Sequence, residues 1–155
     1  ALLAQAGQGS RLTSVGAGNP APVVERWGPV AVVVLAAGGS RRMGRPKQLE
    51  PVDGEAMVVR AVRTALASNA GPVWVVTGAE AEAVTGLLRT QAPAASIVYN
   101  PAWVDGQATS MQAALRALPP AIEAAILMPV DQPYLDAVLL RRLVAAWRRH
   151  NTASR

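Results

Sequence analysis

Along this chain, short unbroken apolar runs alternate with longer stretches in which apolar residues recur every three or four positions, a pattern that predicts strands separated by helices. Val30 to Ala36 is a continuous, valine-rich run, as expected for a strand buried on both faces of a parallel sheet. Gly54 to Ser68 carries Met57, Val58, Val62, Ala65 and Leu66 at helical spacing and ends in the stop signal Asn69-Ala70-Gly71-Pro72. Val73 to Thr77 predicts a second strand, and Glu80 to Thr90 a second helix through Ala83, Val84, Leu87 and Leu88. A third strand, Ser96 to Tyr99, closes at Asn100-Pro101. Helix is expected again from about Thr109 to Leu118 on Met111, Ala114, Leu115 and Leu118, then a fourth strand from Ala124 to Val130. The last helix spans about Tyr134 to His150, with Leu135, Val138, Leu139, Leu143 and Trp147 on one face and the arginine pairs mostly on the other. Such an order calls for crossover connections and a mostly parallel sheet covered on both sides, an α/β fold.

Residues 1–29 break this pattern. They are rich in Gly, Ala, Pro and Ser and read as a linker or loosely ordered arm, which leaves 30–155 as the folded domain. The 155 residues, 51% hydrophobic and 16% charged, can build a proper core, and the absence of cysteine removes disulfides, thiolate zinc sites and a thiol nucleophile. That absence is compatible with the cytoplasm, where the protein is expected to lie. No apolar stretch approaches the ~20 residues of a membrane span, and no secretory leader is visible.

The net charge of +5 raises the question of nucleic acid. Up to Leu140 the chain holds ten basic and ten acidic residues, so the excess is terminal: Arg141, Arg142, Arg148, Arg149 and Arg155. With aromatics at 4% and no recognised motif, a nucleic-acid footprint is not expected, and a solvated helix face is the default. Docking of this face to a missing segment, or to an enzyme that receives the product, is a further hypothesis.

In a parallel sheet, ligands sit beyond the carboxyl ends of the strands, which directs attention to three segments. The first, Leu35-Ala36-Ala37-Gly38-Gly39-Ser40-Arg41-Arg42-Met43-Gly44-Arg45-Pro46-Lys47, comes directly after the first strand. Gly38, Gly39 and Gly44 allow a tight path with inward N–H groups, and Arg42 and Lys47 add a fork and a point charge suited to phosphate. Arg45-Pro46 stand where a Walker loop needs Lys and Ser/Thr, and the spacing is not that of a dinucleotide fingerprint. An ordinary strand-to-helix turn with a solvated basic face remains the alternative.

This run resembles the LAAGxSxRMGxPK signature of the MobA-like nucleotidyltransferases, which include the molybdenum cofactor cytidylyltransferases and guanylyltransferases. The resemblance extends over about Val32 to Leu143, with further matches in Asn100-Pro101-Ala102-Trp103, in Gly106 to Leu115 and in Met128-Pro129-Val130-Asp131-Gln132-Pro133. It implies a three-layer αβα Rossmann-like nucleotidyltransferase domain, incomplete at its C-terminal end, that transfers a nucleotidyl group from an NTP to a phosphate acceptor with Mg²⁺ and releases pyrophosphate. By the same resemblance, Leu35, Ala36, Ala37, Gly38 and Gly39 hold base and phosphates through the backbone, while Arg42 and Lys47 clamp the triphosphate.

The second segment is Trp103 to Met111. Gly106 permits close backbone approach, and Thr109 or Ser110 can cap the following helix. The resemblance assigns nucleotide recognition to Gly106 and Ser110, whereas a cap behind a turn, with Trp103 in the core, is the plainer account. In place of the family's common Ser-Ser-Ser stands Ala108-Thr109-Ser110. The third is Asp131-Gln132-Pro133. A carboxylate beyond a strand and facing the phosphate loop suits Mg²⁺, but Asp131 or Gln132 could equally cap a helix opened by Pro133. Paired with the first motif, Asp131 reads as the family's metal aspartate.

These parts need no covalent intermediate. The acceptor phosphate attacks the α-phosphorus in line, Arg42, Lys47 and Mg²⁺ on Asp131 stabilise the developing charge, and an already anionic phosphate oxygen needs no strong base. Pro46 before Lys47 resembles the cytidylyltransferase side of the family, where guanylyltransferases commonly have Asp, so CTP and a molybdopterin-type acceptor are expected. GTP, another phosphate acceptor such as a sugar phosphate or methylerythritol phosphate, and a non-catalytic nucleotide-binding domain of a larger fusion are the alternatives.

Overall fold

A computed structural model describes residues 2–5, 30–39, 46–132 and 134–153. Seven strands and four helices succeed one another in these residues: β1 Leu2–Gln5, β2 Val30–Ala36, β3 Pro51–Val52, β4 Glu55–Ala56, α1 Met57–Ser68, β5 Val73–Thr77, α2 Ala81–Gln91, β6 Ser96–Tyr99, α3 Gln107–Ala117, β7 Ala124–Pro129 and α4 Ala137–Ala153. The main sheet has the order β1-β7-β2-β5-β6. β2 pairs in parallel with β5 and β7, β5 in parallel with β6, and β1 antiparallel with β7. This is the α/β class the alternation predicts.

The side chains of β2 sort strictly by parity, the period-2 consequence of a pleated strand. Val30, Val32, Val34 and Ala36 enter the core under α1, α2 and α4, where Val58, Val62, Val84, Leu88, Leu140 and Trp147 meet them. Ala31, Val33, Leu35 and Ala37 face the other way, towards α3, with Ala114 and Leu118. Every residue of the strand is buried because both faces are covered, which completes the αβα layering.

Four differences from the sequence-based elements have local causes. Leu2–Gln5, inside the segment read as a linker, adds an antiparallel edge to β7; the Gly- and Pro-rich composition that follows outweighed its short apolar run, and residues 6–29 lie outside the described part. The helix expected from Gly54 begins at Met57, because Asp53 and Gly54, with φ of 52° and 81°, turn the β3–β4 hairpin instead. α3 begins at Gln107 behind Gly106, so neither Thr109 nor Ser110 occupies the cap position. In α4 the buried stripe is Leu140, Val144 and Trp147, while Val138 and Leu139, expected on the apolar face, are exposed.

Candidate active site

The chain runs from β2 outward through β5 to β6 and then returns to the other side of β2 as β7, so the strand order reverses between β2 and β7. A crevice opens beyond the carboxyl ends of strands at such a reversal. Here it is a cavity of about 500 Å³ whose lining includes Leu35, Gly38, Lys47, Ser110 and Asp131.

The rim is tied together by backbone hydrogen bonds that carry the strand pairing past the strand ends. The Val130 N–H donates to Leu35 O at 3.2 Å, the Ala79 N–H to Ala37 O at 2.9 Å and the Asn100 N–H to Thr77 O at 2.8 Å. The parity of β2 then decides which residues of the glycine-rich segment reach the cavity. Leu35 and Ala37 line it, as do Gly38 and Gly39. The side chain of Ala36, 1% exposed, points into the opposite core, as strand alternation requires, which leaves only its backbone for the role the resemblance implies. Arg42 lies outside the described residues.

Trp103 stands over this loop. An added Cβ on Gly78 would come within 2.5 Å of the Trp103 Cβ and 2.7 Å of Ala37 O, and one on Gly39 within 2.8 Å of the ring's Cζ3. Both glycines are therefore the footing of an indole that forms one wall of the cavity, and Trp103 is half-buried rather than wholly core. Among the described residues a Cβ on Gly38 would meet nothing within 4 Å.

Lys47 is exposed and begins a 3-10 turn, Lys47–Leu49, that closes with the Glu50 N–H on Lys47 O at 3.0 Å. Its neighbour Gln48 is 1% exposed and donates from Nε2 to Ala79 O at 3.0 Å. The turn that carries the cation is thus fastened to the loop after β5. The sequence offered only one weak signal for Gln48, its place directly after the lysine.

Asp131 lies just past β7 and is exposed at the cavity. Its competing role as a helix cap is taken elsewhere, because Asp136 Oδ1 accepts the Leu139 N–H at 2.8 Å. Pro133 lies outside the described residues. Among the described residues no group of three or more His, Cys, Asp or Glu could hold a metal by itself. One exposed carboxylate fits Mg²⁺ in the manner of enzymes whose substrate phosphates complete the coordination, since that hard ion keeps oxygen ligands and several waters. Gly106, with φ of 113°, and Ser110 line the side of the cavity formed by α3. No helix among the described residues is long and apolar enough to cross a membrane.

A doubly covered parallel sheet, a glycine-rich loop after its first parallel strand and a lysine and an aspartate at the switch point define the class of nucleotide-handling α/β domains. Residues 32–154 match the MobA-like NTP transferase domain, and the chain belongs to that family. It is 34% identical over 128 residues to a bifunctional protein GlmU of Leifsonia xyli, covering 81% of this chain and 26% of that protein. It is 36% identical over 116 residues to a bifunctional IPC transferase and DIPP synthase of Rubrobacter xylanophilus, covering 72% and 27%. A nicotine blue oxidoreductase of Paenarthrobacter nicotinovorans is 35% identical over 120 residues, covering 77% and 57%. The chain thus spans about a quarter of the first two relatives. Among solved structures, Rv0371c of Mycobacterium tuberculosis superposes with a TM-score of 0.65 at 29% identity, covering 77% of this chain and 60% of that one. The same protein in complex with manganese superposes with a TM-score of 0.60 at 26% identity, covering 76% and 59%.

Proposed function

We propose that this chain carries the nucleotide-binding part of a Mg²⁺-dependent nucleotidyltransferase that moves CMP from CTP to a phosphate-bearing acceptor of the molybdopterin type and releases pyrophosphate. The observation that carries this reading is the meeting of Lys47 and Asp131, from two separate loops, with the Gly38-Gly39 backbone at a single cavity. In the reaction an acceptor phosphate oxygen forms a bond to the α-phosphorus while the bond from that phosphorus to the bridging oxygen breaks, its electron pair leaving with pyrophosphate. Lys47, together with Arg42, holds the charge of the leaving phosphates, and positioning supplies most of the acceleration. The loop from Leu35 to Gly39 offers backbone groups to base and phosphates, and Leu35 and Trp103 wall the cavity against water. Asp131 would hold Mg²⁺, which when bound neutralises phosphate charge.

Pro46 before Lys47 supports CTP over GTP. The curated relatives bear names unconnected with a molybdenum cofactor, which favours, as a second reading, the same transfer to a different phosphate acceptor. Docking of this chain to a molybdoenzyme that receives the cofactor belongs to the first reading, whereas docking to a fused domain is compatible with either. Calorimetric titration with CTP, GTP, ATP and UTP, each with and without Mg²⁺, tests the proposal. Mg²⁺-dependent preference for CTP is the expected result, preference for GTP changes the product, and failure to bind any nucleotide overturns it.

A further inference from the structure

The outward side of α4 joins two features. At its start, Tyr134, Val138 and Leu139 are 82%, 45% and 43% exposed, three of the five large apolar side chains that reach solvent among the described residues. Further along, Arg141, Arg142 and Arg149 are exposed, and among the described residues none of the three has a hydrogen bond or ion pair, whereas Arg60 and Arg63 pair with Asp53 and Glu55. Arg148 and His150 are each engaged by other groups. The helix contains no acidic residue, so no neighbour one turn away relieves its charge. The helix dipole favours cations in the last turn, which gives no account of Arg141 and Arg142 in the second. Val138, Arg142, Ala145 and Arg149 follow one another at intervals of four, three and four residues, which aligns them along one side, opposite the buried Leu140, Val144 and Trp147. Between the two arginines Ala145 and Ala146 are exposed, and side chains this small let a second helix approach closely.

We infer that this side of α4 is a docking surface for an acidic helix of a partner protein, which sets carboxylates seven residues apart against Arg142 and Arg149, roughly 10 Å from each other along the axis, and an apolar residue against Val138 and Leu139. Arginine forks match carboxylates, and arginine beside an aromatic and a small apolar area is the composition that protein interfaces enrich. A second copy of this chain does not suit the surface, because α4 against α4 opposes arginine to arginine with no carboxylate between them. A nucleic-acid backbone would match the arginines and leave the three apolar side chains without a counterpart. A lipid surface asks for an apolar stripe along the whole helix, and that stripe is buried in the core. The short loop from β7 places the apolar end of the surface at the cavity end of the sheet, so a docked partner lies beside the mouth of the site. The surface does not depend on what the cavity binds.

The probe is a synthetic helical peptide with two glutamates seven positions apart, alanines between them and a leucine one turn beyond one of them; its control has lysines in place of the glutamates. In fluorescence anisotropy with the full chain, the acidic peptide is expected to bind and the lysine control is not. Arg142→Glu together with Arg149→Glu is expected to weaken the acidic peptide at least about tenfold and to confer binding of the lysine peptide, while Leu139→Ser weakens the acidic peptide about fivefold without changing its salt dependence. Nucleotide affinity should stay the same in these variants, since none of the three residues lines the cavity. Equal binding of both peptides by the parent, or an acidic peptide that binds the double variant as tightly as the parent, overturns the inference. So does tighter binding of a DNA duplex or of phosphatidylserine vesicles than of the acidic peptide, or a dimer in sedimentation that the double variant abolishes. If R142E/R149E does not fold, Arg142→Gln with Arg149→Gln takes its place, and undiminished binding in that folded variant is equally fatal.

Discussion

Asp136 accepts the backbone N–H of Leu139 at 2.8 Å and so supplies the side-chain cap of the last helix. A residue five positions earlier, Asp131, is thereby released from capping and stands exposed at the cavity. The two aspartates should separate cleanly under mutation. Asp136→Ala is expected to lower stability by about 0.5 to 2 kcal/mol, the usual loss of a cap, without touching metal dependence. Asp131→Asn should leave the melting temperature almost unchanged and abolish the effect of Mg²⁺ on nucleotide affinity. Thermal unfolding and calorimetry on both variants check the pair, and a metal effect that survives in D131N removes Asp131 from the site.

Lys47 and Gln48 are adjacent but answer to different forces. Lys47→Ala removes a charge-assisted contact to phosphate and should weaken nucleotide binding by about 1 to 3 kcal/mol with the fold intact. Gln48 is buried on Ala79 O, so Gln48→Ala leaves a carbonyl short of its partner and should destabilise the chain by a similar ~1 to 3 kcal/mol while loosening the turn that carries Lys47. Equal nucleotide affinities in folded K47A and the parent would exclude the lysine from phosphate binding.

The glycines of the site divide into footing and opening. Gly78→Ala drives a Cβ to 2.5 Å from Trp103 and 2.7 Å from backbone, contacts that must be relieved by movement, so a loss of about 1 to 3 kcal/mol is expected in denaturant unfolding. Gly38→Ala meets no atom of the described residues within 4 Å and should leave stability within about 0.5 kcal/mol. Its Cβ enters space a ligand would use, so the loss should be confined to nucleotide binding. Unaltered binding in G38A would show that the ligand keeps away from that α-carbon.

In α4, neighbouring leucines have opposite fates. Leu140 is 0% exposed and Leu139 43% exposed. Leu140→Ala should cost about 2 to 5 kcal/mol through lost transfer energy and an unfilled cavity, while Leu139→Ala should stay within about 1 kcal/mol. Similar losses from both would mean that α4 packs on a different face.

Much of the fold and of the site is legible along the chain. The valine run of β2 reads as a doubly buried strand and is one, and the residues after it, Leu35, Gly38, Gly39 and Lys47, line the cavity beyond its end. The signals fail where a residue's role depends on a partner far along the chain. Ala36 sits inside the glycine-rich segment but belongs to the opposite face, because parity along a strand outranks membership of a motif. Trp103 reads as core until Gly39 and Gly78 are found beneath it, and Gln48 carries no mark of its bond to Ala79, 31 residues away.

The sequence by itself determined the alternation of strands and helices, the α/β class, the family and the loop after β2, because periodicity, apolar runs and glycine spacing are local properties of a chain. Only the tertiary structure decided which aspartate caps a helix and which faces the cavity, and which parity of β2 reaches the crevice. The cap and the strand parity are local geometry, but which of them opens on a cavity depends on segments that meet only when the sheet reverses its order between β2 and β7, and no local pattern encodes that meeting.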